Sequence, residues 1–233
     1  VGSINRHTQP MWLYDSATSK MVNRECTYTP GLYKIFDEII VNAADNKQRD
    51  PTMSKIEVSI DPEANMIKVL NDGSGIPIVL HSEHNVYIPE LIFGHLLTGS
   101  NFDDAEQKTT GGRNGFGAKL ANIFSTKFIV ETADKSTGLK YSQTFEKNMG
   151  KKHEPVITKH KGKDYTCITF FPDLEKFKMD KLDEDIVGIL SKRVYDIAGT
   201  NTAKGSKLNV YLNDKKLDVK SFQNYVRDRK SVV

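Results

Sequence analysis

The feature that most constrains this chain is an abrupt change of hydrophobic period within its first third. From Pro30 to about Asn46, Leu32, Ile35, Phe36, Ile39 and Ala43 recur at helical spacing. Thr29 reads as the N-cap of this helix, and Pro30 suits its first position. Ten residues later the period falls to two. Ile56, Val58 and Ile60 alternate with polar residues, Asp61-Pro62-Glu63-Ala64-Asn65 supplies turn chemistry, and Ile67 and Val69 resume the alternation. A helix followed by a hairpin points to a chain that mixes helices and strands.

The rest of the chain fits that plan. Ile88–Leu97 reads as a short helix, followed by 20 residues, Thr98–Gly117, rich in Gly, Asn, Asp and Thr and without period. Strands are expected near Lys127–Ala133, Lys140–Phe145, Thr166–Phe171 and Leu208–Leu212, with an amphipathic helix over Asp180–Ala198. The layout is α+β or mixed α/β. The 233 residues allow one large domain, or one plus a fragment, and 38% hydrophobic with 27% charged residues exclude collagen-like, disordered and membrane-spanning classes. The N-terminus lacks the layout of a signal peptide, and two cysteines are too few for a disulfide framework, so an intracellular protein is expected. The net charge of +3 hides an asymmetry: residues 1–117 carry 10 basic and 15 acidic side chains, residues 118–233 carry 23 and 15. The basic half suits either nucleic acid or an ordinary solvated face.

Three segments carry chemistry. On the first helix, Glu38, Asn42 and Asp45 share a narrow sector beside the apolar stripe. A carboxylate there can act as a base toward water and an amide oxygen can meet Mg²⁺; a plain polar face is the alternative. Second, Asn71-Asp72-Gly73-Ser74-Gly75 closes the hairpin's second strand. Side-chain oxygens followed by glycines suit a flat polar ring, although the same residues make ordinary turns. Third, Gly111, Gly112, Gly115 and Gly117 precede a helix expected near Ala118. Backbone N–H groups there can converge on phosphate, or the segment is a surface loop. It is neither a Walker A loop, since Ala118 stands where the lysine must be, nor a Rossmann fingerprint, since Leu120 replaces the third glycine.

The order and spacing of the three resemble the nucleotide boxes of the GHKL (Bergerat) ATPases. Within that superfamily, Gly31-Leu32-Tyr33-Lys34-Ile35-Phe36-Asp37-Glu38-Ile39, Asn42-Ala43-Ala44-Asp45-Asn46-Lys47-Gln48-Arg49-Asp50 and Thr110-Gly111-Gly112-Arg113-Asn114-Gly115-Phe116-Gly117-Ala118-Lys119-Leu120 look like the N-terminal ATPase domain of eukaryotic type IIA DNA topoisomerases. Similarity continues through Asp164-Tyr165-Thr166-Cys167-Ile168-Thr169-Phe170 and Arg193-Val194-Tyr195-Asp196-Ile197-Ala198-Gly199. A mismatch-repair or heat-shock chaperone ATPase of the same superfamily is the alternative, and a non-catalytic nucleic-acid-binding module is the rival from another class.

The resemblance implies an α+β, two-layer sandwich with a mixed, mostly antiparallel sheet and helices on one face. It implies that Glu38 polarises the attacking water and Asn42 ligates Mg²⁺. ATP would further contact Asn46, Asn71, Asp72, Gly75, Ser100 and Asn101, and the lid Gly112, Arg113, Asn114, Gly115, Phe116, Gly117, Ala118 and Lys119 would hold the triphosphate. Gly99 stands where relatives often carry serine. Residues 1–213 would form the ATPase domain and 214–233 the start of a transducer domain, which delivers a further lysine to the γ-phosphate. The isolated chain is then expected to bind ATP, turn over slowly and dimerise weakly. The full-length protein would be a nuclear homodimer acting on DNA, with no membrane association and with its DNA-cleaving tyrosine outside this chain.

Two sets of residues stand apart from this scheme. His81, His84 and His95 have suggestive spacing, but no cysteine or carboxylate cluster completes a metal site in the sequence, and they read as packing residues. The lysine-rich stretch 147–163 reads as a solvated loop, with DNA contact as the alternative.

Overall fold

The computed structural model describes residues 2–95, 117–201, 208–219 and Tyr225. Strands β1 (His7–Asp15) and β2 (Lys20–Tyr28) pair as an antiparallel hairpin. Helix α1 (Pro30–Arg49) leads into β3 (Lys55–Asp61) and β4 (Met66–Asp72), the hairpin expected from the alternation. Then come α2 (Ile88–Gly94), α3 (Gly117–Ile123), β5 (Ser125–Asp134) and β6 (Leu139–Glu146). Short strands β7 (Lys151–Lys152) and β8 (Val156–Lys159) precede β9 (Tyr165–Pro172). Helix α4 (Glu184–Thr200), β10 (Asn209–Leu212) and β11 (Lys215–Lys216) follow.

Nine strands make one sheet in the order β11-β10-β3-β4-β9-β5-β6-β7, with β8 also on β6. Among the described residues only the β10–β3 pairing is parallel. This is the mixed, mostly antiparallel sheet with helices on one face that the resemblance implies. Alternation puts Ile56, Val58, Ile60, Ile67 and Val69 into the core, while Lys55, Glu57, Lys68 and Leu70 stay half-buried on the other face. Against that buried face α1 lays Leu32, Ile35, Phe36, Ile39, Ile40, Ala43 and Ala44, and α4 adds Ile186, Leu190 and Val194.

Three readings change in the structure. Thr29 occupies the N-cap position of α1 but does not cap it. Its buried hydroxyl donates instead to the Phe177 carbonyl, 2.9 Å away, tying the helix start to the 3-10 turn Glu175–Phe177. The stretch 147–163 is not all loop, because β7 and β8 both pair with β6. The first 28 residues, assigned no element from the sequence, hold the β1–β2 hairpin. Asn213 and Asp214, both at positive φ, turn β10 into β11, and Leu217 packs in the core. Among the described residues no helix is long and apolar enough to cross a membrane.

Candidate functional site

A cavity of about 570 Å³ lies between α1, α2, the start of α3 and the strands β4 and β9. That size and its mixed wall of apolar and polar side chains suit a small organic ligand. Helix α1 contributes Glu38, Asn42 and Asn46 from one face, spaced i, i+4 and i+8, with Ile39 and Ala43 beside them. Asp45, expected in the same sector, is not among the lining residues, whereas Arg49 is.

Glu38 is held by neighbours on two sides. Lys34, one turn earlier, donates to its Oε1 at 2.6 Å. Its Oε2 faces Gly117 at the start of α3, where a Cβ would come within 1.8 Å. Glycine at 117 is therefore what lets α3 close on the carboxylate. The adjacent Asp37 points away and accepts from Arg193 Nε of α4 at 2.7 Å. Burial and ion pairing thus sort two consecutive carboxylates: Asp37 joins helix to helix and Glu38 faces the cavity.

The far wall is set by strand register. Asn71 of β4 and Thr166 of β9 are directly paired and both line the cavity, with Val69 and Ile168 as the next such pair on the same face. Asn71 is only 5% exposed, and its Nδ2 donates to the Asp72 carbonyl at 2.9 Å. No hydrogen bond among the described residues takes its Oδ1, which is left as an acceptor for a ligand N–H. Asp72, expected beside Asn71 in the site, projects from the opposite face of the strand. Its carboxylate accepts from Ser54 N (2.8 Å), Ser54 Oγ (2.5 Å) and Lys55 N (2.7 Å), fastening the start of β3, and it does not line the cavity.

The loop after β4 is pinned at three points. Asp50, just past α1, accepts from Ser74 N at 2.6 Å and Ser74 Oγ at 3.1 Å. The Thr52 hydroxyl, with the Ser74 N–H, draws its carboxyl down to about 2. Thr132 of β5 accepts from Ile76 N at 2.9 Å, and Asp134 accepts from Ile78 N at 3.3 Å. Gly75 lies so close to β5 that a Cβ there would sit 1.9 Å from the Ala133 carbonyl oxygen. These ties hold Ser74, Gly75, Ile76 and Pro77 along the cavity edge.

Of the expected site residues, Glu38, Asn42, Asn46, Asn71, Gly75, Gly117 and Ala118 line this one cavity. Lys119 does not; it is buried on α3, and burial pushes its ammonium pKa down. Ser100, Asn101, Gly112, Arg113, Asn114, Gly115 and Phe116 lie outside the described residues. Sequence reasoning missed Thr166, Ile168, Arg49 and the α2 residues Ile88, Ile92 and Phe93. Arg49 could have been found from the helical spacing that places it one turn beyond Asn46. Thr166 carries no local signal, because its place beside Asn71 depends on a strand pairing across nearly a hundred residues.

Comparison with known proteins points the same way. Residues 27–176 match the family model described as "Histidine kinase-, DNA gyrase B-, and HSP90-like ATPase". The chain is similar to DNA topoisomerase 2 of Drosophila melanogaster, 54% identical over 226 residues, covering 97% of this chain and 15% of the relative. It is 56% identical over 227 residues to DNA topoisomerase 2 of Saccharomyces cerevisiae, covering 97% of this chain and 16% of the relative. Among solved structures, the ATPase region of Saccharomyces cerevisiae topoisomerase II superposes with a TM-score of 0.92 at 54% identity, over 99% of this chain and 60% of that one. The chain thus spans about 15% of the length of the curated relatives it matches.

Proposed function

Since the chain belongs to the histidine kinase-, DNA gyrase B- and HSP90-like ATPase family, we propose that it binds and hydrolyses ATP in the α1–β4–β9 cavity as the ATPase module of a type IIA DNA topoisomerase. The observation that carries this reading is that one cavity unites the Glu38 carboxylate, the Asn42 amide and the paired Asn71 and Thr166. The adenine would lie over the paired Val69 and Ile168, with its exocyclic amine toward Asn71 Oδ1. The phosphates run toward Asn42 and the start of α3; the family resemblance also assigns Ser100, Asn101 and residues 112–119 to ATP, of which 100, 101 and 112–116 lie outside the described residues. Asn42 offers a side-chain oxygen, the hard donor a magnesium ion takes, and when bound that ion neutralises charge on the phosphates. Glu38 orients the attacking water and takes its proton, for which Lys34 must yield part of its hold on Oε1.

The wider setting is proposed from relatives named DNA topoisomerase 2. ATP-driven closure of a homodimer powers passage of one DNA duplex through another in the nucleus, with cleavage carried out by other parts of the protein. In this reading residues 1–213 form the ATPase module and residues 214–233 open the transducer domain.

The test is Glu38→Gln. Turnover of Mg-ATP falls by about 10²-fold or more, while affinity for a non-hydrolysable analogue stays within about threefold of wild type, less than 1 kcal/mol. Parallel loss of binding and turnover would make Glu38 a structural residue.

A further inference from the structure

Outside the nucleotide cavity, the loop between Leu80 and Tyr87 gathers a second set of ligating side chains. The loop is closed by a bridge between Leu80 and Tyr87, by His81 N–H to the Val86 carbonyl at 2.8 Å, and by Asn85 N–H to the His81 carbonyl at 3.0 Å. Asn85 takes the left-handed φ of 50° that so tight a return needs. This closure brings one ligand atom each from His81, Glu83 and His84 within 4.8 Å of one another. The ligands of a tetrahedral ion with bonds of about 2.0–2.1 Å stand roughly 3.4 Å apart, so small side-chain rotations suffice to enclose one. Glu83 supplies the carboxylate that the spacing of the histidines alone does not announce.

We propose that His81, Glu83 and His84 form a binding site for a borderline divalent transition-metal ion of the zinc class. Two imidazoles and a carboxylate with open positions are a recurrent set for such ions, whereas magnesium prefers oxygen alone. Glu83 N–H donates to His81 Nδ1 at 3.2 Å, so a metal taken through Nε2 requires the ring proton to move from Nε2 to Nδ1 and that bond to be given up. The rings of His81 and His84 lie 4.9 Å apart, and His95 follows at 5.5 Å from His84. His95 Nδ1 is buried with no hydrogen-bond partner among the described residues, so the cluster extends to a nitrogen that still needs one. The loop is joined directly to α2, whose Ile88, Ile92 and Phe93 line the nucleotide cavity, and His95 lies just past the end of that helix. A metal here staples the approach to α2 and is separate from the cation expected at Asn42.

The experiment uses the 233-residue chain, stripped with chelator and titrated with zinc sulfate alone by calorimetry, in parallel with thermal melts. One zinc ion binds per chain and raises the melting temperature, and excess magnesium does not displace it. His84→Ala and Glu83→Gln each weaken zinc binding at least tenfold while melting like the stripped wild type without metal. Should His84→Ala fail to fold, Glu83→Gln, at an exposed position, decides alone. Absence of zinc binding by the wild type, displacement by magnesium, or wild-type binding by Glu83→Gln would each overturn the site.

Discussion

Gly75→Ala tests whether the loop along the cavity is placed by backbone contact. A Cβ at 75 would lie 1.9 Å from the Ala133 carbonyl oxygen, 2.9 Å from its carbon and 3.0 Å from Thr132 Oγ1. Ala133 belongs to β5, which is bound on both sides by β9 and β6 and cannot move aside. The loop itself must retreat, by roughly 1.3 Å, before the first contact reaches a tolerable distance. The same retreat stretches the Ile76 N–H bond to Thr132 Oγ1, now 2.9 Å, to about 4 Å, beyond hydrogen-bonding range. Overpacking costs about 1–3 kcal/mol and loss of the bond about 1 kcal/mol more, giving roughly 2–4 kcal/mol. For a domain of this size that lowers the melting temperature by roughly 5–15 °C. Because Ser74, Gly75, Ile76 and Pro77 line the cavity, affinity for a non-hydrolysable ATP analogue falls about tenfold, or 1.4 kcal/mol. Scanning calorimetry reads the first effect and titration calorimetry the second. Gly138→Ala is the control: its φ is +67° but its Cβ meets nothing closer than 4.0 Å, so only left-handed strain of about 1–2 kcal/mol applies, and nucleotide affinity is unchanged. If Gly75→Ala melts no lower than Gly138→Ala and binds nucleotide like wild type, the loop is not positioned by β5 and the reasoning fails.

Two further outcomes are expected. Thr166→Val keeps the shape of the cavity wall beside Asn71 but removes the hydroxyl that lies 3.3 Å from Thr132 Oγ1; nucleotide affinity measured by titration calorimetry drops about tenfold, with a fall in melting temperature of a few degrees at most. Asp50 has a folded pKa of about 2 against an ordinary 3.8, so its contribution is complete above about pH 3.8 and is lost as the pH falls toward 2. Melting curves across that window fall more gently for Asp50→Asn than for wild type, and equal slopes would remove Asp50 as the anchor of the Ser74 loop.

Most elements were legible because their signal is local. The α1 stripe and the β3–β4 alternation each lie within one window of sequence, and burial followed the pattern. The β1–β2 hairpin carries no clean alternation: Pro10 interrupts the first strand, and its apolar residues Met11, Trp12, Leu13 and Tyr14 are consecutive, without period two. It is held from elsewhere. Leu13 and Cys26 pack with Ile189, and Gly188 leaves the room, since a Cβ there would press within 2.9 Å of Leu13. Asp185 accepts from Thr27 N at 2.8 Å and from Arg24 at 2.6 Å, both across more than 150 residues.

The same division holds for the candidate sites. By itself the sequence determined the helix that carries Glu38, Asn42 and Asn46, the glycine at 75, and the resemblance to a nucleotide-binding family, because helical spacing and turn chemistry are properties of neighbouring residues. Only the tertiary structure decided that Asp72 turns away to hold Ser54 while Thr166 joins Asn71, because successive residues of a strand face opposite sides and pairing chooses the neighbour. It also decided that Glu83 meets His81 and His84, since a tight return of the backbone, and not periodicity, brings those three side chains together.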